Sequence, residues 1–354
     1  MTRKINVLSN VLTFVITIAL CIVAVIVTNG KFVAEMLEVV LNFTLGAIIA
    51  GLICTTLHEL GHVIFGKANG FDLISFTVWF FKWHKRGKKF EFDFVMIKDS
   101  AGYTEMLPKY NDNLDKRFYK MTMGGSVLVF FAMLIGLVPI FINITNFTLY
   151  SILLMFLPIG AYVFFGNILP MATSGVRNDG AILMGIKNKE DSLKVAVNIL
   201  AIQGEMYNGK TPAEIDKSLY FDLPQLPEDD YHFAMLLNAR YLYYLDAGDI
   251  ENALSVSDRL LGLESYYSKE AMFEFKRDAL YNACVLKPNE DLADELMYEL
   301  EKVLNKDNSV GNIRAKMAYL LAVNQEPDSL DMFYKKGVKE AKKHPLKGVK
   351  SCST

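Results

Sequence analysis

Leu57-His58-Glu59-Leu60-Gly61-His62-Val63 lies inside an apolar run that extends over residues 39–65. Helical spacing puts His58 and His62 one turn apart on one face, where both imidazoles reach a single tetrahedral Zn2+, and it sets Glu59 beside the metal to act on a bound water. Ionisable side chains in a membrane helix cost roughly 2.5–3.5 kcal/mol or more each. Their presence in this run therefore points to chemistry. The plainer reading is a polar cluster that anchors one helix end at the interface.

Outward from this run, the composition separates the chain into two halves. The 354 residues are 52% hydrophobic, and the mean hydropathy of +0.23 is high for a water-soluble chain of this size. The excess falls within residues 5–187, whereas 188–354 carry an ordinary charged mixture. Four stretches are long enough to cross a bilayer core of about 30 Å, at about 5–28, 39–65, 123–144 and 147–169. Arg3 and Lys4 precede the first, but its apolar run is too long for a signal peptide and no small-x-small site closes it, so it reads as an uncleaved anchor. The segment 67–120 holds eleven Lys and Arg, including Lys85, Arg86, Lys88 and Lys89, whereas the loop between the first two spans offers only Lys31. Basic loops stay inside, so both termini, the active-site end of the second span and the C-terminal half are expected in the cytoplasm.

Residues 71–81 and 90–97 are rich in aromatic and β-branched side chains and flank the basic turn, which reads as a β-hairpin. Trp79, Phe80, Phe81 and Trp83 beside lysines suit a headgroup interface, so the hairpin is expected on the membrane surface. The alternative is a small cytoplasmic hairpin with an aromatic core.

Catalytic zinc takes three protein ligands and keeps one open position. His84 in the basic turn, and His232 and His344 in the soluble half, each read as exposed histidines. Asp179 follows the fourth span on the same membrane face as His58, although Asp179-Gly180 taken alone reads as a turn.

His58-Glu59-Leu60-Gly61-His62 on a span, followed two spans later by Asn167-x-x-Pro170 and Asp179-Gly180, resembles the site-2 protease family of intramembrane zinc metalloproteases, peptidase family M50. Gly102-Tyr103-Thr104 with Pro108, and Met123-Gly124-Gly125-Ser126, are weaker matches to it. The resemblance covers roughly residues 1–187. It implies that Asp179 is the third zinc ligand beside His58 and His62, and that Asn167 positions substrate or steadies the oxyanion. Many members carry a compact Asn-x-x-Pro-x-x-Pro-Leu-Asp-Gly, whereas here nine positions separate Pro170 from Asp179 and the second Pro and the Leu are missing.

The activity expected is hydrolysis of a peptide bond in a membrane-embedded or membrane-associated substrate, with one Zn2+ as cofactor and Glu59 as general base and then general acid. The substrate class is a membrane protein, such as an anti-sigma-type factor, or a small precursor, such as a signal-peptide remnant or peptide pheromone. A multi-pass protein of a bacterial plasma membrane is the expected setting, with the lipid bilayer as a standing partner. The near balance of 37 Lys+Arg against 39 Asp+Glu removes the basic footprint of nucleic-acid binding. Cys21, Cys54, Cys284 and Cys352 have no paired spacing, so neither a disulfide framework nor a cysteine–zinc site is indicated.

The domains expected are a transmembrane metalloprotease domain over 1–187, a linker over 188–230 marked by Gly209, Pro212, Pro224 and Pro227, and a helical domain over 231–354. In the last, Leu254, Leu292 and Leu330 are spaced by 38, as are Leu237, Phe275 and Ile313, and Leu245, Ala283 and Leu321. Each unit reads as two amphipathic helices, for example 232–247 and 250–261, split by Gly248-Asp249. This resembles tetratricopeptide-type repeats, whose stacking would leave a concave face for a regulatory protein or peptide. A plain helical bundle is the alternative for this half. The fold class expected is thus an α-helical membrane protein with four transmembrane helices and a small membrane-associated hairpin, plus a cytoplasmic all-α repeat domain. A second function from another class is a membrane-anchored adaptor whose protease core is inactive.

Overall fold

A computed structural model describes residues 3–87, 89–95, 101–173, 176–306, 308–324 and 327–347. It begins with α1 (Arg3–Thr28), followed by a turn with Gly30 at φ +77°, and α2 (Met36–Ala68), an uninterrupted helix of 33 residues. At 1.5 Å per residue α2 is about 50 Å long, more than the hydrocarbon core requires. The other long apolar helices are α3 (Leu114–Ile135), continued by the short α4 (Val138–Phe141), and α5 (Phe147–Ile168). Among the described residues, the four segments Lys4–Thr28, Met36–Ala68, Leu114–Phe141 and Phe147–Ile168 are long and apolar enough to span a membrane.

The third span starts nine residues before the expected 123, because the charged turn with Asp115, Lys116 and Arg117 is already helical. Arg117 is buried and donates to the Asn69 carbonyl (2.7 Å) and the Gly70 carbonyl (2.9 Å) just beyond the end of α2. A cation satisfying carbonyls at a helix C-terminus is favourable on both counts, and hydropathy alone cannot register it.

Small residues bring α2 against its neighbours. A Cβ on Gly61 would lie 2.2 Å from the Gly124 carbonyl oxygen of α3, and one on Gly46 would lie 2.8 Å from the Ser151 carbonyl oxygen of α5. Helices in lipid gain their association from such close packing, since lipid tails are as apolar as leucine. Ala50, Cys54, Ala132, Met155 and Phe156 fill the space where α2, α3 and α5 meet. α1 packs on α5 and leaves Leu8, Phe14, Ile18 and Ile26 exposed, as a lipid-facing helix does.

Between α2 and α3 the chain forms β1 (Phe71–Val78), β2 (Phe81–Arg86), β3 (Lys89–Phe94) and β4 (Gly102–Pro108), an antiparallel sheet in the order β3-β2-β1-β4. Two differences from the expected hairpin follow. The stretch read as one strand over 71–81 is broken at Trp79, whose φ of 59° opens a two-residue turn into β2. Such turns favour Asn or Gly, so a Trp there carried no turn signal. The sheet also gains β4, whose Gly-Tyr-Thr start reads too weakly as a strand. Lys88 and the 96–97 end of the expected second strand lie outside the described residues. Register pairs Phe76 with Trp83 and Val78 with Phe81 on one side of β1, and Phe76 with Thr104 and Val78 with Gly102 on the other. Opposed residues share a face, so Gly102 and Thr104 lie on the face that carries Phe81 and Trp83. The rings of Phe92 and Phe94 pack onto Phe81 there, at 6.0 and 5.7 Å.

After α5 come the short strands β5 (Ala172–Thr173) and β6 (Val176–Arg177) and then α6 (Asp179–Lys187). The chain divides into two compact units, the first formed mainly by residues up to Leu193 and the second by those from Lys194 together with the short segments 86–89 and 109–111. In the second unit the residues expected as a linker carry most of α7 (Asp191–Asn208) and α8 (Ser218–Phe221), and Val195 and Ile199 of α7 enter a core with Phe233, Leu237, Leu260 and Met272. Three helix pairs follow: α9 (Tyr231–Asp246) with α10 (Ile250–Leu261), α11 (Lys269–Tyr281) with α12 (Glu290–Leu304), and α13 (Val310–Tyr319) with α14 (Pro327–Ala341). Gly248, with φ +74°, makes the turn between α9 and α10. Leu237, Phe275 and Ile313 are buried on α9, α11 and α13. The π-helical turns Asn282–Leu286 and Leu320–Asn324 that extend α11 and α13 also start 38 residues apart.

Candidate metal centre

α2 carries His58, Glu59 and His62 into a buried position, with 6, 6 and 8% of each residue exposed. The two imidazole rings stand edge to face, 4.7 Å between centroids. Asp179, the first residue of α6, brings its Oδ2 to 3.2 Å from both His58 Nε2 and His62 Nε2, and those two nitrogens are also 3.2 Å apart. Three donor atoms thus form an equilateral triangle. A tetrahedron with edges of that length has corners about 2.0 Å from its centre, the bond length of zinc to imidazole nitrogen and carboxylate oxygen. Among the described residues this is the group of His, Cys, Asp and Glu that can hold a metal ion.

The donor chemistry agrees with that geometry. His62 Nδ1 lies 3.1 Å from the Met121 carbonyl of α3, and a carbonyl can only accept, so Nδ1 carries the proton and the Nε2 lone pair of the neutral ring faces the triangle. Electron-rich atoms gathered this closely in a buried place need a cation or shared protons among them.

The long connection from Pro170 to Asp179 is organised by Asn178, which the sequence reading did not single out. Its Oδ1 accepts from Ala181 N (3.0 Å), capping α6, and from Met171 N (2.9 Å), while its Nδ2 donates to the Gly166 and Leu169 carbonyls, both at 2.7 Å. The residues in excess of the compact family motif form the β5/β6 ribbon, which Asn6 of α1 holds by a pair of hydrogen bonds to the Ala172 backbone. Gly180 is required beside it, since a Cβ there would lie 2.3 Å from the Ile168 carbonyl oxygen. An Asn immediately before an apolar helical run is a cap signal that the sequence does contain. Asn178→Ala is expected to destabilise the protein by about 2–3 kcal/mol through the lost cap and unpaired carbonyls. It is also expected to weaken metal binding roughly 10–100-fold. Thermal unfolding in detergent and zinc retention on dialysis check both.

Two further contacts shape the centre. A Cβ on Gly125 would lie 2.7 Å from His58 Cε1 and from His62 Nε2, so α3 must present a glycine there. Glu59 turns toward β4, where Thr104 Oγ1 donates to Glu59 Oε2 at 2.6 Å and a Cβ on Gly102 would lie 2.6 Å from Glu59 Oε1.

The other sequence candidates lie elsewhere. His84 Nδ1 sits 3.3 Å from Asp93 on the sheet, His232 contacts Asp230 at a helix start, and His344 lies in the turn with Leu346. Asn167 sits near the C-terminal end of α5 and donates Nδ2 to the Val163 carbonyl of its own helix (2.8 Å).

No curated protein and no solved structure matches the chain significantly. The sequence model of peptidase family M50 matches residues 46–306, from within α2 to beyond α12, and so reaches well past the end near residue 187 at which the motifs stop. With a group that can hold a metal ion, the four apolar helices and a match over most of its length, the chain belongs to peptidase family M50, the site-2 protease family of membrane metalloproteases.

Proposed function

We propose that the protein is an intramembrane zinc endopeptidase in which His58, His62 and Asp179 hold one Zn2+ and Glu59 is the general base and acid. The observation that carries this reading is the triangle of three donor atoms, each 3.2 Å from the other two, with Glu59 next to His58. Zinc bound there supplies a Lewis acid for the scissile carbonyl and lowers the pKa of water toward about 7. Glu59 takes the proton of the attacking water and passes it to the leaving amide nitrogen, which departs as an amine. His62 is kept in the metal-binding tautomer by Met121, and Asp179 contributes the charge that suits a dication.

A transmembrane helix hides its peptide bonds in its own hydrogen bonds, so a substrate has to unwind before attack. β4 is an outer strand of the sheet and carries Thr104 against Glu59, so its outer edge suits pairing with an unwound segment. Asn167 is assigned to substrate or oxyanion positioning; an amide nitrogen has two hydrogens, and the bond to Val163 uses one. Phe80, Phe92 and Phe94 are exposed beside Lys82 and Lys89, which supports contact between the sheet and the headgroup layer. The distribution of basic residues supports a cytoplasmic active-site end, with cleavage near the cytoplasmic end of a membrane protein or peptide precursor. The matched 38-residue spacing of buried residues and of π-turns supports a tetratricopeptide-like unit that receives a regulatory protein or peptide. An inactive adaptor is disfavoured, because all four residues of the centre stand together, with His58, Glu59 and His62 buried and Asp179 half-buried beside them.

The test is metal content. Purified protein dialysed against zinc is expected to retain about one Zn2+ per chain, the stoichiometry of a three-ligand catalytic site. Asp179→Asn is expected to weaken retention by more than the roughly 10–100-fold that loss of an outer partner causes. Parent protein that holds no zinc after this treatment would remove the proposal.

A further inference from the structure

Gly102-Tyr103-Thr104 opens β4, and the chemistry above leaves its Thr without a role. Glu59 is a long side chain on a helix, and a general base acts only when the accepting oxygen is held within hydrogen-bond reach of the proton it removes. Nothing within α2 provides that restraint. β4 does, from outside the helix: Thr104 Oγ1 reaches Glu59 Oε2 at 2.6 Å, in the short range of a hydroxyl bound to a carboxylate. The Glu59 backbone carbonyl is 3.4 Å from the same hydroxyl, a much weaker competitor for its one proton.

Gly102 completes the arrangement from the same face of the strand. Side chains two apart on a strand point the same way, and a Cβ at Gly102 would come within 2.6 Å of both Glu59 Cγ and Oε1. One oxygen of the carboxylate is thereby occupied by a donor, and the other has space only because residue 102 lacks a side chain. β4 is itself held in place by its pairing with β1, through Val78 opposite Gly102 and Phe76 opposite Thr104.

We infer that Thr104 is the positioning residue of the general base: its hydroxyl holds Oε2 of Glu59 and so commits Oε1 to accept the proton of the attacking water. The inference rests on the peptidase reading of the centre. The fixed rotamer removes a search among carboxylate orientations from each turnover, and misplacement of a catalytic group by about 1 Å costs on the order of 100-fold in rate.

The experiment uses the full-length, zinc-loaded protein in detergent with fluorophore-labelled casein as an unfolded probe substrate. The variants are Thr104→Val, which keeps the branched shape, and Thr104→Ser, which keeps the hydroxyl. Thr104→Val is expected to lower kcat about 10- to 100-fold with KM and zinc content close to those of the parent, and Thr104→Ser to recover most of the loss. In metal-free protein the infrared difference between Thr104→Val and parent is expected to show a shifted carboxylate band that vanishes when both carry Glu59→Gln. Parental kcat in Thr104→Val, while Glu59→Gln is inactive, overturns the positioning role and leaves the peptidase reading intact. If parent and Glu59→Gln behave alike toward casein, the peptidase reading fails. The infrared band then decides the Thr104–Glu59 contact, and an unmoved band overturns it.

Discussion

Glu59→Gln is expected to lower peptide-bond cleavage by about 1,000-fold or more while leaving zinc content unchanged. General acid–base assistance is worth roughly 100- to 10,000-fold, and in the proposed reaction Glu59 serves both proton transfers. Gln keeps the size and the capacity to accept a hydrogen bond from Thr104, so the sheet and helix contacts survive. It cannot accept a proton. The carboxylate lies outside the donor triangle formed by His58, His62 and Asp179, so removing its charge does not remove a ligand. Co-expression with a candidate membrane substrate, or casein hydrolysis by the purified protein, measures the loss, and metal analysis of the same sample establishes that the centre is intact. Cleavage by Glu59→Gln at the parental rate would exclude Glu59 as the base. Asp179→Asn makes a useful companion, since it is expected to lose activity and zinc together.

Gly125→Val is expected to abolish zinc retention and activity together. Both imidazoles lie against this position, with His58 Cε1 and His62 Nε2 at 2.7 Å and His58 Nδ1 at 2.8 Å from where a Cβ would stand. The rings have nowhere to retreat. His62 is tied by Nδ1 to Met121 on α3, both rings face Asp179, and Gly61 and Gly124 already bring the α2 and α3 backbones into contact. Overpacking of this kind costs about 1–3 kcal/mol in an ordinary core. Here the displaced atoms belong to the proposed ligands, and zinc tolerates little departure from its bond lengths. Gly166→Ala is the control, because nothing lies within 4 Å of a Cβ there and the residue is helical. It is expected to change stability by no more than about 0.5 kcal/mol. Zinc content and thermal unfolding of the two variants in detergent make the comparison, and a Gly125→Val protein that holds zinc as the parent does would show that the rings have more freedom than their contacts allow.

The arrangement of the chain was legible where its cause is local. Apolar length identifies the four spans, since a bilayer imposes a minimum on every crossing helix. The third span nevertheless begins at Leu114 because Arg117 finds its partners on the far side of the α2 terminus. Turn chemistry failed at Trp79, where a two-residue turn is held without a turn-forming residue, and so a four-stranded sheet was read as a hairpin. At α7 the prolines and glycine nearby suggested a linker, whereas Val195 and Ile199 are committed to the helical core.

His58, Glu59 and His62 are determined by the sequence itself, because the i to i+4 period of a helix is enough to place two imidazoles and the intervening acid. Asp179 required the family resemblance, since 117 positions separate it from His62 and Asp-Gly alone describes a turn. What only the tertiary structure decided is how these groups are held: the Met121 carbonyl that selects the His62 tautomer, the bare face of Gly125, the four hydrogen bonds of Asn178, and Thr104 on Glu59. A main-chain carbonyl has no residue type to announce it, and a glycine needed for clearance looks like any other glycine until its neighbour is known. The reactive groups repeat at the period of one helix, whereas their supports come from α3, β4 and the α5–α6 connection, and only packing brings those together.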